Sequence, residues 1–171
     1  MAVKKLTRAQ LVKRLKSIKL LALDVDGVLT NNLVYVDENG TEQVASSRGD
    51  SMGIRLVREA LPIEFMVIST EVNPVVTARC NKLKIEVYQG IKDKVAVLKN
   101  VLKEKGIPAE EAVFIGNDVN DLECLELVGY AVVPVDAEPE VKRHADLVIS
   151  RKGGRGAVRE FCDTLLEKFG K

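Results

Sequence analysis

An almost uninterrupted apolar run, Ile18 to Leu23, ends abruptly at Asp24 and limits the possible folds more than any other feature of the sequence. A run of this length that is bounded by a charge is typical of a strand buried on both faces, as in a parallel sheet. Further along the chain, short apolar segments alternate with stretches of helical periodicity. This pattern predicts an α/β protein with a mostly parallel central sheet and helices on both faces. No Pro/Gly/Ser-rich linker divides the chain, so residues 1–171 are expected to form one domain.

Three segments are predicted to lie outside this alternation. Residues 1–16 form an N-terminal extension with an amphipathic helix, Thr7 to Leu15. Residues 31–46 are predicted to form a β-hairpin flap, because apolar residues flank Asn39-Gly40, a strong signal for a tight turn. Residues 151–171 form a glycine-rich tail and a final helix. The remaining predicted strands are Phe65–Ile68, Val87–Tyr88, Val113–Ile115, Ala131–Val133 and Leu147–Ile149, and the predicted helices are Ser51–Leu61, Pro74–Lys84, Lys94–Lys105, Asp121–Val128 and Ala157–Phe169.

Charge and composition argue against several classes of protein. The chain has 26 Lys and Arg against 25 Asp and Glu, and only 4% of its residues are aromatic, so a nucleic-acid partner is not expected. Cys80, Cys124 and Cys162 show neither zinc-ligand spacing nor a disulfide framework and are expected to be buried small hydrophobes. Residues 1–16 lack the apolar core of a signal peptide, and no apolar run approaches the roughly 18 residues of a membrane span. We therefore expect a cytoplasmic protein without a membrane partner.

Two carboxylates follow the first strand, in the sequence Asp24-Val25-Asp26-Gly27. Carboxylates placed directly after a buried strand are unfavourable unless a cation or hydrogen bonds compensate their charge. Gly27 allows the backbone to turn sharply away. Because ligands of an open α/β sheet bind at the carboxyl ends of its strands, Asp24 and Asp26 are the first candidate site residues. The alternative is that both are solvated loop carboxylates.

A second group of oxygen ligands, Gly116 to Asp121, follows the strand that begins at Val113. Carboxylates and amide carbonyls without His or Cys suit a hard cation such as Mg²⁺. The predicted metal ligands are Asp24, Asp26, Asn117, Asp118 and Asp121. Asp121 also lies near the start of a predicted helix, where a carboxylate acts favourably as a cap, and both roles are compatible.

Two further segments are expected at the same edge of the sheet. Ser69 and Thr70 end a predicted strand just before Asn73-Pro74 starts a helix, and a hydroxyl beside helix N–H groups can bind a phosphate oxygen. The alternative is that these hydroxyls only cap the helix. Lys94 begins a helix, where the helix dipole disfavours a cation. We interpret Lys94 as a phosphate ligand rather than as a solvated surface lysine.

These four segments, in this order, resemble the motifs of the haloacid dehalogenase superfamily of phosphatases. Asp24 and Asp26 match the first motif, Ser69 the second, Lys94 the third and Gly116–Asp121 the fourth. The resemblance implies a Rossmann-like fold, Mg²⁺ as cofactor and phosphoryl transfer through an aspartyl-phosphate. Asp24 would be the nucleophile, and Asp26 would protonate the leaving oxygen and later deprotonate the hydrolytic water. Mg²⁺ would be held by Asp24, the backbone carbonyl of Asp26 and the fourth motif.

One position departs from the motif. Asn117 stands where the fourth motif usually has its metal-binding aspartate. An amide oxygen binds Mg²⁺ without charge, so a lower affinity or rate is expected, and Asp118 could compensate directly or through water. The alternative function is a weakly active or inactive phosphatase-like module for oligomerisation or regulation, associated with an acylneuraminate cytidylyltransferase. The intact first three motifs argue against that alternative.

The chain further resembles one group of that superfamily, the 3-deoxy-D-manno-octulosonate 8-phosphate phosphatases, over Ile18 to Phe169. The resemblance is carried by the hairpin, the lack of room for a cap domain, the segment Ser47–Ile54 and the tail Gly153–Glu160. It implies a homotetramer in which this tail reaches the active site of a neighbouring subunit, with Arg155 near the substrate. Asp50 is expected to face the site from the segment after the hairpin. The alternative for the tail is an ordinary loop before a helix.

Glu71 and Lys82 help to predict which sugar acid is the substrate. Octulosonate enzymes of the group usually have an arginine after the second motif, whereas this chain has Glu71, with Lys82 on the next helix. The pair is similar to the branch that acts on nine-carbon sugar acids, the nonulosonate (KDN or N-acylneuraminate) 9-phosphates. Lys82 would suit the carboxylate of the sugar acid, while Glu71 would accept hydrogen bonds from its hydroxyls. The alternatives are that Lys82 is a solvated helix lysine and that the enzyme is a broad phosphatase without sugar-acid preference.

Overall fold

A parallel six-stranded sheet forms the centre of the computed structural model, which describes residue 13 and residues 15–169. In chain order the strands are β1 (Leu20–Leu23), β2 (Thr30–Val36), β3 (Glu42–Ser46), β4 (Glu64–Ile68), β5 (Glu86–Tyr88), β6 (Ala112–Ile115), β7 (Tyr130–Val133) and β8 (Leu147–Val148). The central sheet has the order β5-β4-β1-β6-β7-β8, and each of its neighbouring pairs is parallel. β2 and β3 form a separate antiparallel hairpin. The predicted α/β architecture is confirmed.

Helices connect these strands on both sides of the sheet. Within the described residues they are α1 (Arg48–Ala60), α2 (Val75–Leu83), α3 (Lys94–Lys105), α4 (Leu122–Leu127), α5 (Pro139–Lys142) and α6 (Ala157–Phe169). α3 and α6 have the predicted bounds, whereas α1 begins earlier than predicted because the Ser47 side chain caps the N–H groups of Gly49 and Asp50. The four-residue α5 was not predicted, since so short a helix carries little periodicity. The helix predicted over Thr7–Leu15 lies mostly outside the described residues.

Successive residues of β1 pack into two separate cores. Leu21 and Leu23 lie in the core on the side of α1, α2 and α6, while Leu20 and Ala22 lie in the core on the side of α3, α4 and α5. All four side chains are completely buried. The apolar run that ends at Asp24 is therefore explained by burial on both faces. The three cysteines are free and buried, as predicted.

The order of the strands creates a crevice beside β1. From β1 the chain winds through β4 to β5 at one edge of the sheet and then returns to β6, β7 and β8 on the other side. Ligands of such a doubly wound sheet bind where the direction of winding changes, outside the carboxyl ends of the strands. That place lies between β1 and β6. Asp24, Ser69 and Gly116, which directly follow β1, β4 and β6, all lie along this edge.

The hairpin of β2 and β3 stands apart from the central sheet. Its side chains from Leu33 to Val36 are 50–61% exposed. Among the described residues, this hairpin is the only element between β1 and α1, and α2 is the only element between β4 and β5, so neither connection carries a cap domain. None of the helices in the described part of the chain combines the length and apolar character that crossing a membrane requires.

Candidate active site

Lys94 joins two buried carboxylates at the carboxyl end of the sheet. Its Nζ lies 2.9 Å from Oδ1 of Asp24 and 2.8 Å from Oδ1 of Asp121. Asp24 follows β1, Lys94 begins α3, and Asp121 ends the 3₁₀ turn Val119–Asp121 beyond β6. All three residues are 5% exposed or less. The structure thus brings residues of the first, third and fourth predicted segments into one ion-pair network.

The charges of this network depend on one another. Burial, together with the negative charge of Asp121, raises the pKa of Asp24 to about 7, and Lys94 opposes that rise. Burial also acts to lower the pKa of Lys94, but Asp24 and Asp121 outweigh it and hold the pKa of the ammonium above its ordinary value. Lys94 is therefore a permanent cation at neutral pH. Any additional positive charge nearby would stabilise the ionised form of Asp24, which burial disfavours.

Asp26 is held by Thr30, a residue that the sequence pattern did not bring out. The Thr30 hydroxyl lies 3.1 Å from Oδ1 of Asp26 and accepts the backbone N–H groups of Gly27 (3.3 Å) and Asn32 (3.4 Å). Because the hydroxyl accepts two N–H groups, its own proton is donated to Asp26. Burial raises the pKa of Asp26, and this hydrogen bond opposes the rise. The sequence did contain a signal for this contact: Thr30 follows Asp26 by four residues, and Gly27 between them allows a tight turn.

Asp121 organises the loop after β6. Its Oδ1 pairs with Lys94, while its Oδ2 accepts the N–H groups of Asn117 (2.9 Å) and Asp118 (3.4 Å). Both oxygens of Asp121 are therefore engaged within the chain, and its expected role as a direct Mg²⁺ ligand stays a prediction. Its expected role as a cap is present, since Asp118 and Asp121 form a capping box around the 3₁₀ turn.

Asn117 contributes a buried oxygen that has no hydrogen-bond partner among the described residues. The residue is 6% exposed, and its Oδ1 makes no hydrogen bond. Its carboxamide packs so closely on Gly27 (φ 82°) that a Cβ on that glycine would lie 2.1 Å from Nδ2. A buried oxygen left in this state is unfavourable unless a ligand satisfies it. Asn117 therefore has the properties of a ligand for a bound cation.

A cavity of about 210 Å³, here called the Asp24 pocket, opens at this edge of the sheet. It is lined by Asp24, Asp26, Asn32, Thr70, Asn117, Asp118, Val119 and Asn120. Across the described residues, no three His, Cys, Asp or Glu side chains are grouped so that they could hold a metal ion by themselves. A cation in the pocket would thus also need amide and backbone oxygens. Such an all-oxygen donor set fits Mg²⁺.

The residues after β4 occupy three different places. Ser69 is 1% exposed, and its hydroxyl accepts the N–H of Glu71 at 3.1 Å. Ser69 does not line the Asp24 pocket, whereas Thr70 does. Glu71 lines a second cavity of about 100 Å³, here called the hairpin pocket, between the hairpin and α2. The structure therefore places Thr70, rather than Ser69, on the pocket surface.

The hairpin pocket touches the Asp24 pocket at one residue. It is lined by Val25, Asp26, Leu29, Thr30, Val34, Glu42, Val44, Ser46, Glu71, Asn73, Val75, Val76 and Arg79. Asp26 lines both cavities. A hydrogen bond of 2.9 Å from Asn73 Nδ2 to Oε2 of Glu42 ties the hairpin to the segment before α2. A molecule that spans both cavities would therefore pass Asp26.

Asp50 caps α6 within the same chain instead of facing the Asp24 pocket. It is 1% exposed, and its carboxylate accepts the N–H groups of Gly156 (3.3 Å) and Arg159 (2.8 Å). Burial raises the pKa of Asp50, and these two hydrogen bonds oppose the rise. The expectation that Asp50 faces the substrate is corrected. Asp50 is buried between α1 and the start of α6, and its side chain has no exposed surface for a ligand.

The glycine-rich tail packs against its own chain. A Cβ on Gly153 would lie 1.8 Å from the carbonyl oxygen of Gly27, and Gly154 donates its N–H to the carbonyl of Val28 at 2.9 Å. The tail thereby braces the turn after Asp26. Gly153 and Gly154 therefore pack within their own chain, and the expected reach of the tail into a neighbouring subunit stays a prediction. Arg155 is exposed and lines neither pocket.

Lys82 lies in a separate basic groove between α1 and α2. The groove has a volume of about 730 Å³ and shares no residue with the Asp24 pocket. Its basic residues are Arg48, Arg55, Arg58, Arg79, Lys82 and Lys84, against one acidic residue, Glu59. The chain alone therefore does not bring Lys82 to the site of Asp24.

The haloacid dehalogenase-like hydrolase family matches residues 67–161, which is more than half of the chain. The matched region contains Ser69, Lys94 and Asp121, and the structure joins it to Asp24 through the ion pair with Lys94. The chain belongs to this family. The predicted superfamily is thereby confirmed.

Curated and solved relatives cover nearly all of this haloacid dehalogenase-like hydrolase. The 3-deoxy-D-manno-octulosonate 8-phosphate phosphatase KdsC of Escherichia coli (strain K12) is 38% identical over 164 residues, 95% of this chain and 87% of the relative. The crystal structure of the phosphatase of the same name from Yersinia pestis is 34% identical with a TM-score of 0.90, covering 95% of this chain and 88% of that one. That from Moraxella catarrhalis, in complex with a magnesium ion, a phosphate ion and KDO, is 28% identical with a TM-score of 0.91, covering 96% and 94%. As a family member with such relatives, this chain is a phosphoric monoester hydrolase.

Proposed function

We propose that this chain is a Mg²⁺-dependent phosphatase for a phosphorylated 2-keto-3-deoxy sugar acid, either a nonulosonate 9-phosphate or an octulosonate 8-phosphate. The observation that carries the proposal is the buried network of Asp24, Lys94 and Asp121 at the carboxyl edge of the sheet, with Asp26 beside it. The names of the similar proteins support the substrate class, since they act on octulosonate 8-phosphate.

Asp24 supplies the nucleophile in the proposed reaction. Lys94 holds Oδ1 of Asp24, which leaves Oδ2 to attack phosphorus. The attack forms an aspartyl-phosphate and breaks the bond between phosphorus and the sugar oxygen. Lys94 stays charged throughout and lowers the repulsion between the carboxylate and the phosphate dianion.

Asp26 transfers the proton. Burial raises the pKa of Asp26, which favours a protonated carboxyl that can donate to the leaving sugar oxygen. The ionised Asp26 then accepts a proton from the water that hydrolyses the aspartyl-phosphate. The Thr30 hydroxyl keeps the carboxyl group in place for both steps. With phosphate in the Asp24 pocket and sugar in the hairpin pocket, the reacting oxygen lies next to Asp26, which lines both.

The donors of the Asp24 pocket fit a bound Mg²⁺ ion. Asp24, the backbone carbonyl of Asp26 and the unpartnered Oδ1 of Asn117 would hold it, and Asp118 lies at the pocket wall as a direct or water-mediated ligand. When bound, the ion neutralises charge on the phosphoryl group. Asn117 brings no charge of its own, so the ion is expected to bind more weakly than in a site with a carboxylate at that position.

Specificity for a sugar acid is proposed to need a second subunit. Glu71 lies in the hairpin pocket, where it can accept hydrogen bonds from sugar hydroxyls. Lys82 does not line the Asp24 pocket of its own chain, so in this proposal it binds the carboxylate of a substrate that is held by a neighbouring copy. The exposed apolar strip Leu33–Val36 would be covered in the proposed homotetramer, and a net charge of +1 offers little repulsion between copies.

The test is a panel of phosphoesters that includes both sugar-acid phosphates, assayed with Mg²⁺ and with EDTA. We expect one sugar-acid phosphate to exceed the other phosphoesters by about 100-fold in kcat/KM, EDTA to abolish activity and added Mg²⁺ to restore it. Asp24→Asn should be inactive, whereas Asp163→Asn on α6 should match the wild type. Equal rates across the panel would indicate a broad phosphatase. No turnover at all would contradict the proposal and favour the regulatory module that Asn117 suggests.

A further inference from the structure

Asn32 has a backbone conformation that its place in the chain does not explain. Its φ of 61° lies in the left-handed region, and among the described non-glycine residues only Lys84 shares a positive φ. Lys84 ends α2, and helices commonly end on such a residue. Asn32 instead lies inside β2, where the pairing with β3 shifts register between Thr30 and Val34. A left-handed residue within a strand calls for a local cause or a function.

The cause is a backbone held from two sides. The N–H of Asn32 donates to the Thr30 hydroxyl at 3.4 Å, and that hydroxyl is bound to Asp26. On the other side, Gly154 packs so tightly that a Cβ there would lie 2.3 Å from the carbonyl carbon of Thr30. The chain is thereby fixed from Asp26 to Asn32. Within this arrangement Asn32 lines the Asp24 pocket together with Asp26.

The residue type adds something that the turn alone does not require. Glycine adopts a left-handed conformation without the steric cost that a side chain brings, although asparagine tolerates it better than most residues. A turn that needed only this conformation would therefore be served best by glycine. Asparagine adds a carboxamide with two N–H donors to a residue that lines the pocket. Three aspartates, Asp24, Asp26 and Asp118, line the same pocket, so a phosphate group there needs additional donors.

We propose that the Asn32 carboxamide donates a hydrogen bond to the phosphate group of the substrate and so helps to position it for attack by Asp24. The inference rests on the proposed function, because it requires that the Asp24 pocket holds a phosphoester. It extends that function to a residue of the hairpin. The hairpin then takes part in phosphate binding, besides forming a wall of the hairpin pocket.

Two substitutions separate phosphate binding from turn formation. Asn32→Gly removes the carboxamide and keeps the left-handed backbone, and Asn32→Asp keeps the shape but replaces the donors with negative charge. Asn31→Gly is the matched control, since Asn31 is the preceding residue and does not line the pocket. The full-length protein with Mg²⁺ is assayed for three quantities: kcat/KM on p-nitrophenyl phosphate and both sugar-acid phosphates, inhibition by inorganic phosphate, and the rise in thermal midpoint on adding phosphate.

Asn32→Gly is expected to unfold at the wild-type temperature or above. Its inhibition constant for inorganic phosphate should rise about tenfold, as for loss of a hydrogen bond to a charged group, and kcat/KM should fall by a similar factor on every phosphoester. Asn32→Asp should lose more, because its charge repels phosphate. Phosphate binding and kcat/KM within about twofold of wild type for Asn32→Gly would overturn the inference, as would a wild-type-like Asn32→Asp. A wild type that hydrolyses none of the phosphoesters, yet is stabilised by phosphate in an Asn32-dependent way, would contradict the proposed function alone.

Discussion

Asp50 offers a direct choice between a structural role and a substrate-binding role. Asp50→Ala removes both acceptors for the N–H groups of Gly156 and Arg159 at the start of α6. Leaving such a group unsatisfied costs about 1–3 kcal/mol, and loss of a helix cap costs about 0.5–2 kcal/mol. We therefore expect Asp50→Ala to lower the free energy of unfolding by about 2–3 kcal/mol. Burial raises the pKa of Asp50, so its negative charge adds little to stability. Asp50→Asn keeps one acceptor oxygen but leaves one of the two N–H groups facing an NH₂ donor, so it should lose about 1–2 kcal/mol, less than Asp50→Ala.

Urea denaturation of both variants at one fixed protein concentration measures these losses, and thermal denaturation should show a fall of roughly 4–12 °C for Asp50→Ala. Fixing the concentration matters because assembly of subunits adds to apparent stability. Below the unfolding transition, KM for the preferred phosphoester should remain within about twofold of wild type, because Asp50 lines neither pocket. A free energy of unfolding that changes by less than about 0.5 kcal/mol while KM rises about tenfold would refute the structural assignment and place Asp50 against the substrate.

Two further substitutions test the catalytic assignment. Lys94→Met should lower kcat/KM by at least about 100-fold, because it removes the cation between Asp24 and Asp121. Lys92→Met is the control, since Lys92 is exposed. Equal activity of the two variants would exclude Lys94 from the site. Thr30→Val should lower kcat by about tenfold and the free energy of unfolding by about 1–3 kcal/mol, because the hydroxyl donates to Asp26 and also accepts the N–H groups of Gly27 and Asn32. Thr30→Ser should recover most of both losses. If valine and serine lose activity equally, the methyl group of Thr30 and not its hydroxyl is what matters.

Local signals in the sequence predicted the parts of the fold that short segments determine. The apolar run before Asp24 identified the central strand, because both faces of β1 are buried. The bounds of α3 followed from its flanks, since Asp93 caps its start and Gly106, with a φ of 63°, ends it. The order of the strands then brought Asp24 and Lys94 to one edge, as predicted, and the structure adds an ion pair between them.

Several placements of side chains did not follow from the local sequence. The carboxylate of Asp121 accepts hydrogen bonds from the N–H groups of its own loop and from Lys94, a network that its predicted role as a metal ligand did not include. Asp50 was expected in the site, but α6 covers it. Lys82 lies on the same helix as residues of the hairpin pocket, yet it points to a different groove. The contacts of these side chains depend on which elements and loops pack together. The local sequence pattern around each residue does not predict that packing.

The contact of Gly153 with Gly27 has a consequence for the order in which the parts of the site can form during folding. All six strands of the central sheet precede Gly153 in the chain, because β8 ends at Val148. The turn after Asp26 is braced only when the tail docks, because Gly154 donates its N–H to the carbonyl of Val28. A folding chain can therefore assemble its sheet while the turn that carries Asp26 still lacks this support. Formation of the site is thereby coupled to docking of the tail.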